Sequence, residues 1–386
     1  MIITFATILN IVLFSSIAIL LLNFIISKNK IILEIGTHTM LICMIMILFR
    51  LFFPFELSLH NSIYITRIWP DVYVRIVRPT FSFAGIEWSI WFILIAVSVT
   101  GSCLFLVRLI VSYIKIMSVI TTYEKINKIE IIQLVNAINA SHKKQRNFNL
   151  VMSRSAISPF AFGLFKPYIV LPDMNFSKND LEHILRHEMM HHYSKDLWIR
   201  FICELICALY WWNPFSYLLR SQINRIQELH IDLEIMNNLN ESQKLEYVEC
   251  LIDFTKHYSS KHKERLLTAF NHNSGNTMLN RFKTIVDYLD KPNQKSRQTL
   301  RSTLLTFALV ISIFVLPNFI ILEAKALPEN IEELEGTFSI NQGNSFFILN
   351  DDGTYDLYLG GQYLITVTEA FDDSLKIYSS DGEELR

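Results

Sequence analysis

Four stretches of the chain are apolar on every helical face: residues 2–26, 35–53, 88–114 and 304–322. A helix that crosses a bilayer needs roughly 20 such residues, so each stretch predicts a membrane span. The first lacks a basic leader and a small-residue cleavage site, which separates it from a signal peptide. Between the third and fourth stretches the pattern turns amphipathic. Residues 168–171 read as a short strand closed by Pro172, and residues 177–192 and 225–232 read as helices. Beyond the fourth stretch, strand-like runs at 346–349 and 355–358 flank the turn sequence Asn350-Asp351-Asp352-Gly353. Gly360-Gly361 and Ser380-Asp381-Gly382 look like further turns, so a small antiparallel sheet is expected there.

Composition strengthens the membrane reading. Hydrophobic residues make up 51% of the chain and charged ones only 18%, a balance unlike that of an ordinary soluble domain. Basic residues orient the spans. Lys28 and Lys30 follow the first, Lys115, Lys125 and Lys128 follow the third, and Lys291, Lys295, Arg297 and Arg301 precede the fourth. All fall on one side if the N-terminus is outside, although Arg67, Arg75 and Arg78 sit in the opposite loop. The expected layout is three spans in 1–114 with an extracellular loop at about 55–87, a cytoplasmic domain at 115–301, a fourth span at 302–322, and an extracellular β-rich tail at 323–386. The fold class is therefore a polytopic α-helical membrane protein of about four spans, with a mainly helical α+β cytoplasmic domain and a small extracellular β domain. A net charge of −1 makes no case for nucleic acid as a direct partner. The five cysteines contain no C-x-x-C pair, and Cys203 and Cys207, four apart in an apolar helical run, read as buried packing.

The chemistry sits between the third and fourth spans. Residues 187–191 spell H-E-x-x-H. Ser177 and Asp180 form a capping box ahead of Leu181, Ile184 and Leu185, with no Gly or Pro before His192. On that helix His187 and His191 lie one turn apart on one face, where two imidazoles can bind one Zn²⁺. Glu188 stands next to the first ligand, within reach of a metal-bound water. His183 is read as a solvated residue or one behind the ligands, and His192 as a surface residue. A catalytic zinc needs a third protein ligand. Glu228 is the best candidate, with Asp232 one turn on as acceptor for the free ring N–H of a ligand histidine. His230 and Asp196 are the alternatives for the third ligand.

Four segments carry a wider likeness: residues 158–172 (SPFAFGLFKPYIVLP), the motif at 187–196, YWWNPF at 210–215, and ELHID at 228–232. In order and approximate spacing the chain resembles the BlaR/MecR-type antirepressor metallopeptidases, polytopic bacterial membrane proteins with a gluzincin-like cytoplasmic domain. The resemblance covers roughly the first 320 residues on this topological reading. It implies that His187, His191 and Glu228 bind zinc, that Glu188 is the general base, and that Asp232 supports the site. It also implies a signal transducer in the bacterial cell membrane, acting on a protein substrate: a cytoplasmic transcriptional repressor, or itself. Membrane lipids are the other partners, and a homodimer is compatible. The antibiotic sensors of that family carry a penicillin-binding domain with a Ser-x-x-Lys nucleophile; residues 323–386 contain no such motif, so sensing by acylation is not supported.

Two other readings stand beside this one: a housekeeping membrane metalloprotease of the HtpX or CAAX-protease type, and a zinc-binding receptor that does not cut. An intact Glu188 argues against the second, since binding needs no base. The strand at 168–171 is expected either in the core or at a sheet edge, where an extended substrate could pair with it. The run 197–212 is expected as a core helix or a segment against the bilayer. Residues 268–290 read as a polar loop and an amphipathic helix, an exposed connector with self-cleavage as the alternative.

Overall fold

The computed structural model describes residues 5–53, 63–64, 76, 79–83, 86–156, 158–174, 176–261, 274–289, 295–315 and 320–321, and in the tail 345–350, 353–359, 362–368, 370, 375–379 and 384–385. The chain divides into two compact units, Met1–Ile63 with Val77–Leu322, and Tyr64–Ile76 with Glu323–Arg386.

The first unit is mostly helical. Helix α1 (Phe5–Ile26) buries Ala18, Ile19 and Leu22 and exposes Leu20, Leu21 and Phe24. Two apolar faces, one packed and one exposed, suit a helix between protein and lipid. The second expected span, 35–53, is α3 (Thr37–Phe52); the short helix α2 (Asn29–Ile35) precedes it and meets it at 91°. The bend falls at Gly36, whose φ of 93° a side chain would resist. Helix α4 (Ile90–Thr122) runs 33 residues, beyond the expected end of the third span. At about 50 Å it is longer than the hydrocarbon core is thick. Among the described residues, two helices are long and apolar enough to cross a membrane, or three if the bent pair is one span.

A four-stranded sheet follows, built from β1 (Glu124–Lys125), β2 (Asn149–Ser153), β3 (Phe160–Phe162) and β4 (Tyr168–Pro172), with α5 (Ile129–Ala140) between the first two. The order is β1-β2-β4-β3; only β2 and β4 are parallel. Strand β4 is therefore interior, and the edges belong to β3 and the two-residue β1. Alternation sorts the side chains: Leu150, Ile169 and Leu171 pack with α5 and the motif helix, while Val151 and Val170 pack on Ile120 at the end of α4.

Helix α6 (Lys178–Tyr193) carries the motif, followed by α7 (Asp196–Leu209), α8 (Pro214–Asn237), α9 (Glu241–Lys261), α10 (Ser274–Leu289) and α11 (Lys295–Val310). Helix α7, which covers the run 197–212 as far as Leu209, is packed against α4, α3 and α8 while Ile202, Leu209 and Trp212 stay exposed. Just past its end, the Trp211 indole donates to the Ser98 carbonyl and the Tyr210 hydroxyl to that of Leu51. One hydrophobic core joins α1 and α3 to α7 and α8 through Ile19, Met44, Cys203, Leu219 and Ile223. Cys203 and Cys207 are buried, as expected. The fourth expected span begins in α11 and a π-helical turn, Ile311–Val315; residues 316–319 lie outside the described residues, as do residues 262–273 of the connector.

In the second unit, β5 (Ser345–Leu349), β6 (Tyr355–Leu359), β7 (Gln362–Val367) and β8 (Lys376–Ser379) form a sheet of order β7-β6-β5-β8. At the expected turn, Gly353 N–H donates to Asn350 O and Asn350 N–H to Thr354 O; residues 351–352 lie outside the described residues. The sheet is mixed rather than purely antiparallel, because β8 pairs parallel with β5. Phe347, Leu357 and Ile377 form its core.

Candidate metal centre

The motif helix starts where the capping box places it: the Ser177 side chain accepts from Asp180 N–H and donates back to its carboxylate at 2.6 Å. Helix α8 starts at Asn213, whose side chain accepts from Phe215 N–H, with Pro214 in the first turn. Pro214–Asn237 then buries Leu219, Ile223 and Ile226, and this fixes which face Glu228 presents.

The two helices bring His187, His191 and Glu228 together, one ligand atom from each within 4.8 Å of the others. His187 Nε2 lies 3.4 Å from Glu228 Oε2, and His191 Nε2 lies 3.5 Å from Glu228 Oε1. Ligand atoms about 2.0–2.1 Å from one zinc at the tetrahedral angle stand about 3.3 Å apart. The donor set and its spacing therefore fit zinc, with both imidazoles offering Nε2.

Each ligand is braced from behind. His191 Nδ1 is 2.9 Å from Asp196 Oδ2. Gln227 Nε2 donates to the Asp196 carbonyl and accepts at Oε1 from Arg200 Nε, and Arg200 Nη2 donates to Glu228 Oε1 at 2.8 Å. On the other side, His187 Nδ1 is 3.1 Å from the Tyr247 hydroxyl, which donates to Asp232 Oδ1 at 2.7 Å. Arg281 Nη2 donates to Asp232 Oδ1 at 2.6 Å, its Nε to Asp232 Oδ2, and its Nη1 to Glu228 Oε2 at 3.1 Å. Asp232 and Gln227 are fully buried, so these bonds satisfy groups that would otherwise be costly to enclose; Asp196 is equally buried and is bonded through Oδ2 alone of its two carboxylate oxygens.

The charges follow from this packing. Burial alone would raise the Glu228 pKa, but His191, His187, Arg281 and Arg200 hold it well below the usual carboxylate range. Burial alone would lower that of His187; the hydrogen bond that the protonated ring can donate to Glu228, with the nearby Asp232 and Glu228 charges, outweighs burial and the Arg281 charge, so it is raised. Burial and then the Asp232 carboxylate push the Tyr247 phenol well above its ordinary value, so it stays a donor.

The comparisons bear on this geometry. The family model described as BlaR1 peptidase M56 matches residues 9–285. The chain belongs to that family. Among curated relatives, the regulatory protein BlaR1 of Bacillus licheniformis is 33% identical over 110 residues, 28% of this chain and 18% of that protein. The methicillin resistance mecR1 protein of Staphylococcus aureus (strain Mu50 / ATCC 700699) is 25% identical over 221 residues, 55% of this chain and 36% of that protein. The matches thus span well under half the length of these relatives.

Against this M56 framework, the expected residues distribute as follows. His187, His191, Glu228 and Asp232 converge. Glu188 is half-buried on the same helix and makes no hydrogen bond or ion pair among the described residues. Asp196, an alternative ligand from sequence, instead bonds His191 on Nδ1, the ring nitrogen opposite the one that faces Glu228. His230 points elsewhere, 3.0 Å from the Thr37 hydroxyl. His183 is buried with its ring against Tyr247 rather than solvated. His192 is not at the surface. It is 4% exposed, lies edge-on to Phe148, and burial drives its pKa down to about 4. The 100° rotation from His191 turns it toward the sheet, because α6 is covered on two sides. Tyr247, Arg281 and Arg200 were missed by sequence reading. The first two come from helices later in the chain, and no local spacing marks them.

Proposed function

We propose that this M56 member is a zinc-dependent endopeptidase of the bacterial cell membrane. On this reading it transduces a signal by cutting itself or a cytoplasmic regulatory protein, such as a transcriptional repressor. The observation that carries the reading is the His187, His191 and Glu228 set, with zinc-like spacing and every ligand braced. A zinc ion held there would supply an acidified water and an electrophile for the scissile carbonyl. Glu188 takes a proton from the attacking water and returns it to the departing amine, so one water is consumed and one peptide bond breaks. Strand β3, at the sheet edge and packed on the motif helix, is the element suited to pair with an extended substrate, a role that sequence reading offered to residues 168–171. The basic residues flanking the spans support placing this site on the cytoplasmic side and residues 323–386 outside. The names of the relatives, a regulatory protein and a resistance protein, support a signalling role over housekeeping proteolysis.

The test is metal dependence at these ligands. In bacterial membranes, the wild-type chain is expected to cut a co-expressed substrate or itself, to stop when chelated, and to resume when zinc is restored. His191→Ala and Glu228→Ala are expected to lose both metal and cleavage. Full cleavage by either variant would remove the site from the mechanism.

A further inference from the structure

The His187 side of the site holds a device that the ligand set alone does not require. Tyr247, on α9, is 1% exposed, and its hydroxyl lies between His187 Nδ1 at 3.1 Å and Asp232 Oδ1 at 2.7 Å. The direct distance from His187 Nδ1 to Asp232 Oδ1 is 3.5 Å, too long for a strong hydrogen bond. The phenol is therefore the closer partner of the imidazole.

Proton counting fixes the direction. The Asp232 carboxylate is surrounded by donors, since Arg281 Nη2 reaches Oδ1 and Arg281 Nε reaches Oδ2. An ionised carboxylate only accepts. The single phenolic hydrogen is committed to Asp232, so the phenolic oxygen can only accept from His187, and Nδ1 must carry the imidazole hydrogen. Neutral His187 then has its lone pair on Nε2, the atom that faces Glu228 Oε2 at 3.4 Å. The opposite arrangement, with hydrogen on Nε2, would leave Tyr247 with two acceptors for one hydrogen.

We infer that Tyr247 is a positioning residue of the metal centre, which sets the tautomer and orientation of His187 by relaying its Nδ1–H to the Asp232 carboxylate. This rests on the zinc reading above. His191 reaches a carboxylate directly, through Asp196, so the two ligands are braced by different chemistry and can be tested separately.

The experiment compares the full chain, purified in lipid nanodiscs, as wild type, Tyr247→Phe and Tyr193→Phe. Tyr193 donates its hydroxyl to Asn139 rather than to a ligand and controls for hydroxyl loss. Zinc affinity is read by chelator competition, ligand geometry by the visible spectrum of the Co²⁺-loaded protein, and folding by thermal melting of the metal-free forms. Tyr247→Phe is expected to melt near wild type, to lose about 10- to 100-fold in zinc affinity, and to show an altered Co²⁺ spectrum. Tyr193→Phe is expected to bind like wild type. If Tyr247→Phe does not fold, Tyr247→Met removes the same hydroxyl with a more adaptable side chain. Wild-type affinity and spectrum in a folded hydroxyl-free variant would overturn the role of Tyr247. Failure of the wild type itself to bind zinc stoichiometrically would instead overturn the zinc reading beneath it.

Discussion

At the scale of single residues, the site places two positive side chains, Arg200 and Arg281, against two carboxylates, Glu228 and Asp232. Arg281 is the counter-charge of Asp232, which has no exposed surface. Removing one member of such a pair typically costs about 3–5 kcal/mol, because the other charge stays buried. Arg281→Met is therefore expected to lower unfolding stability by about that amount in a denaturant titration of the metal-free protein, and Arg281→Lys to recover only part of it, since an ammonium cannot span both carboxylate oxygens. A loss under 1 kcal/mol would show that Asp232 finds another partner. Zinc affinity should also depend on pH. His187 has a raised pKa in the metal-free site, and a protonated imidazole cannot bind metal. Affinity is expected to be fully developed at alkaline pH and to fall as pH drops through the raised His187 value. A flat profile from pH 8 to pH 5.5 would contradict the ligand assignment. The candidate cluster was legible from sequence because H-E-x-x-H and the Glu228–Asp232 pair each fit within one or two turns of a single helix. Tyr247 and Arg281 were not, since their contacts close over 60 and 49 residues of chain.

At the scale of elements, the scaffold depends on close approach between α4 and the segment after α7. A Cβ on Gly101 would lie 2.3 Å from the Trp211 indole, which is stacked on Phe105 and bonded to Ser98. Gly101→Val is expected to push Trp211 out of that stack and to lower stability by about 1–3 kcal/mol, the usual cost of overpacking. Thermal melting in nanodiscs checks this; an unchanged melt would mean that the indole relocates freely. Helix starts were readable from Ser177 and Asn213, whose side chains cap their own helices. Sheet order was not. Strands β3 and β4 are separated by residues 163–167 and form a hairpin, but β4 also pairs with β2, and no local pattern tells which of two apolar strands is the edge. The bend at Gly36 falls at the start of the apolar run 35–53, and hydropathy did not show that residues 29–35 before it form a separate short helix.

At the scale of the molecule, α1 and α3 share one hydrophobic core with the helices of the metal site. Asn213, at the start of the Glu228 helix, also reaches Ser16 in α1. A truncated chain of residues 115–301 would expose Leu219, Ile223 and Ile226 to water. It is expected to aggregate rather than give a soluble zinc-binding domain; a monodisperse, folded fragment would show that this core is dispensable. Hydropathy revealed apolar helices long enough to cross a membrane but not that the helices of the candidate site are built onto them, since an apolar face reads the same whether it meets lipid or protein. The central claim is that this M56 chain cuts peptide bonds with Glu188 as base. Its most direct test compares wild type with Glu188→Gln in bacterial membranes, following zinc content and cleavage of the chain and of co-expressed cytoplasmic substrates. Zinc retained with cleavage abolished is the expected result. Unchanged fragments in the variant would assign the cutting to another protease and contradict the claim.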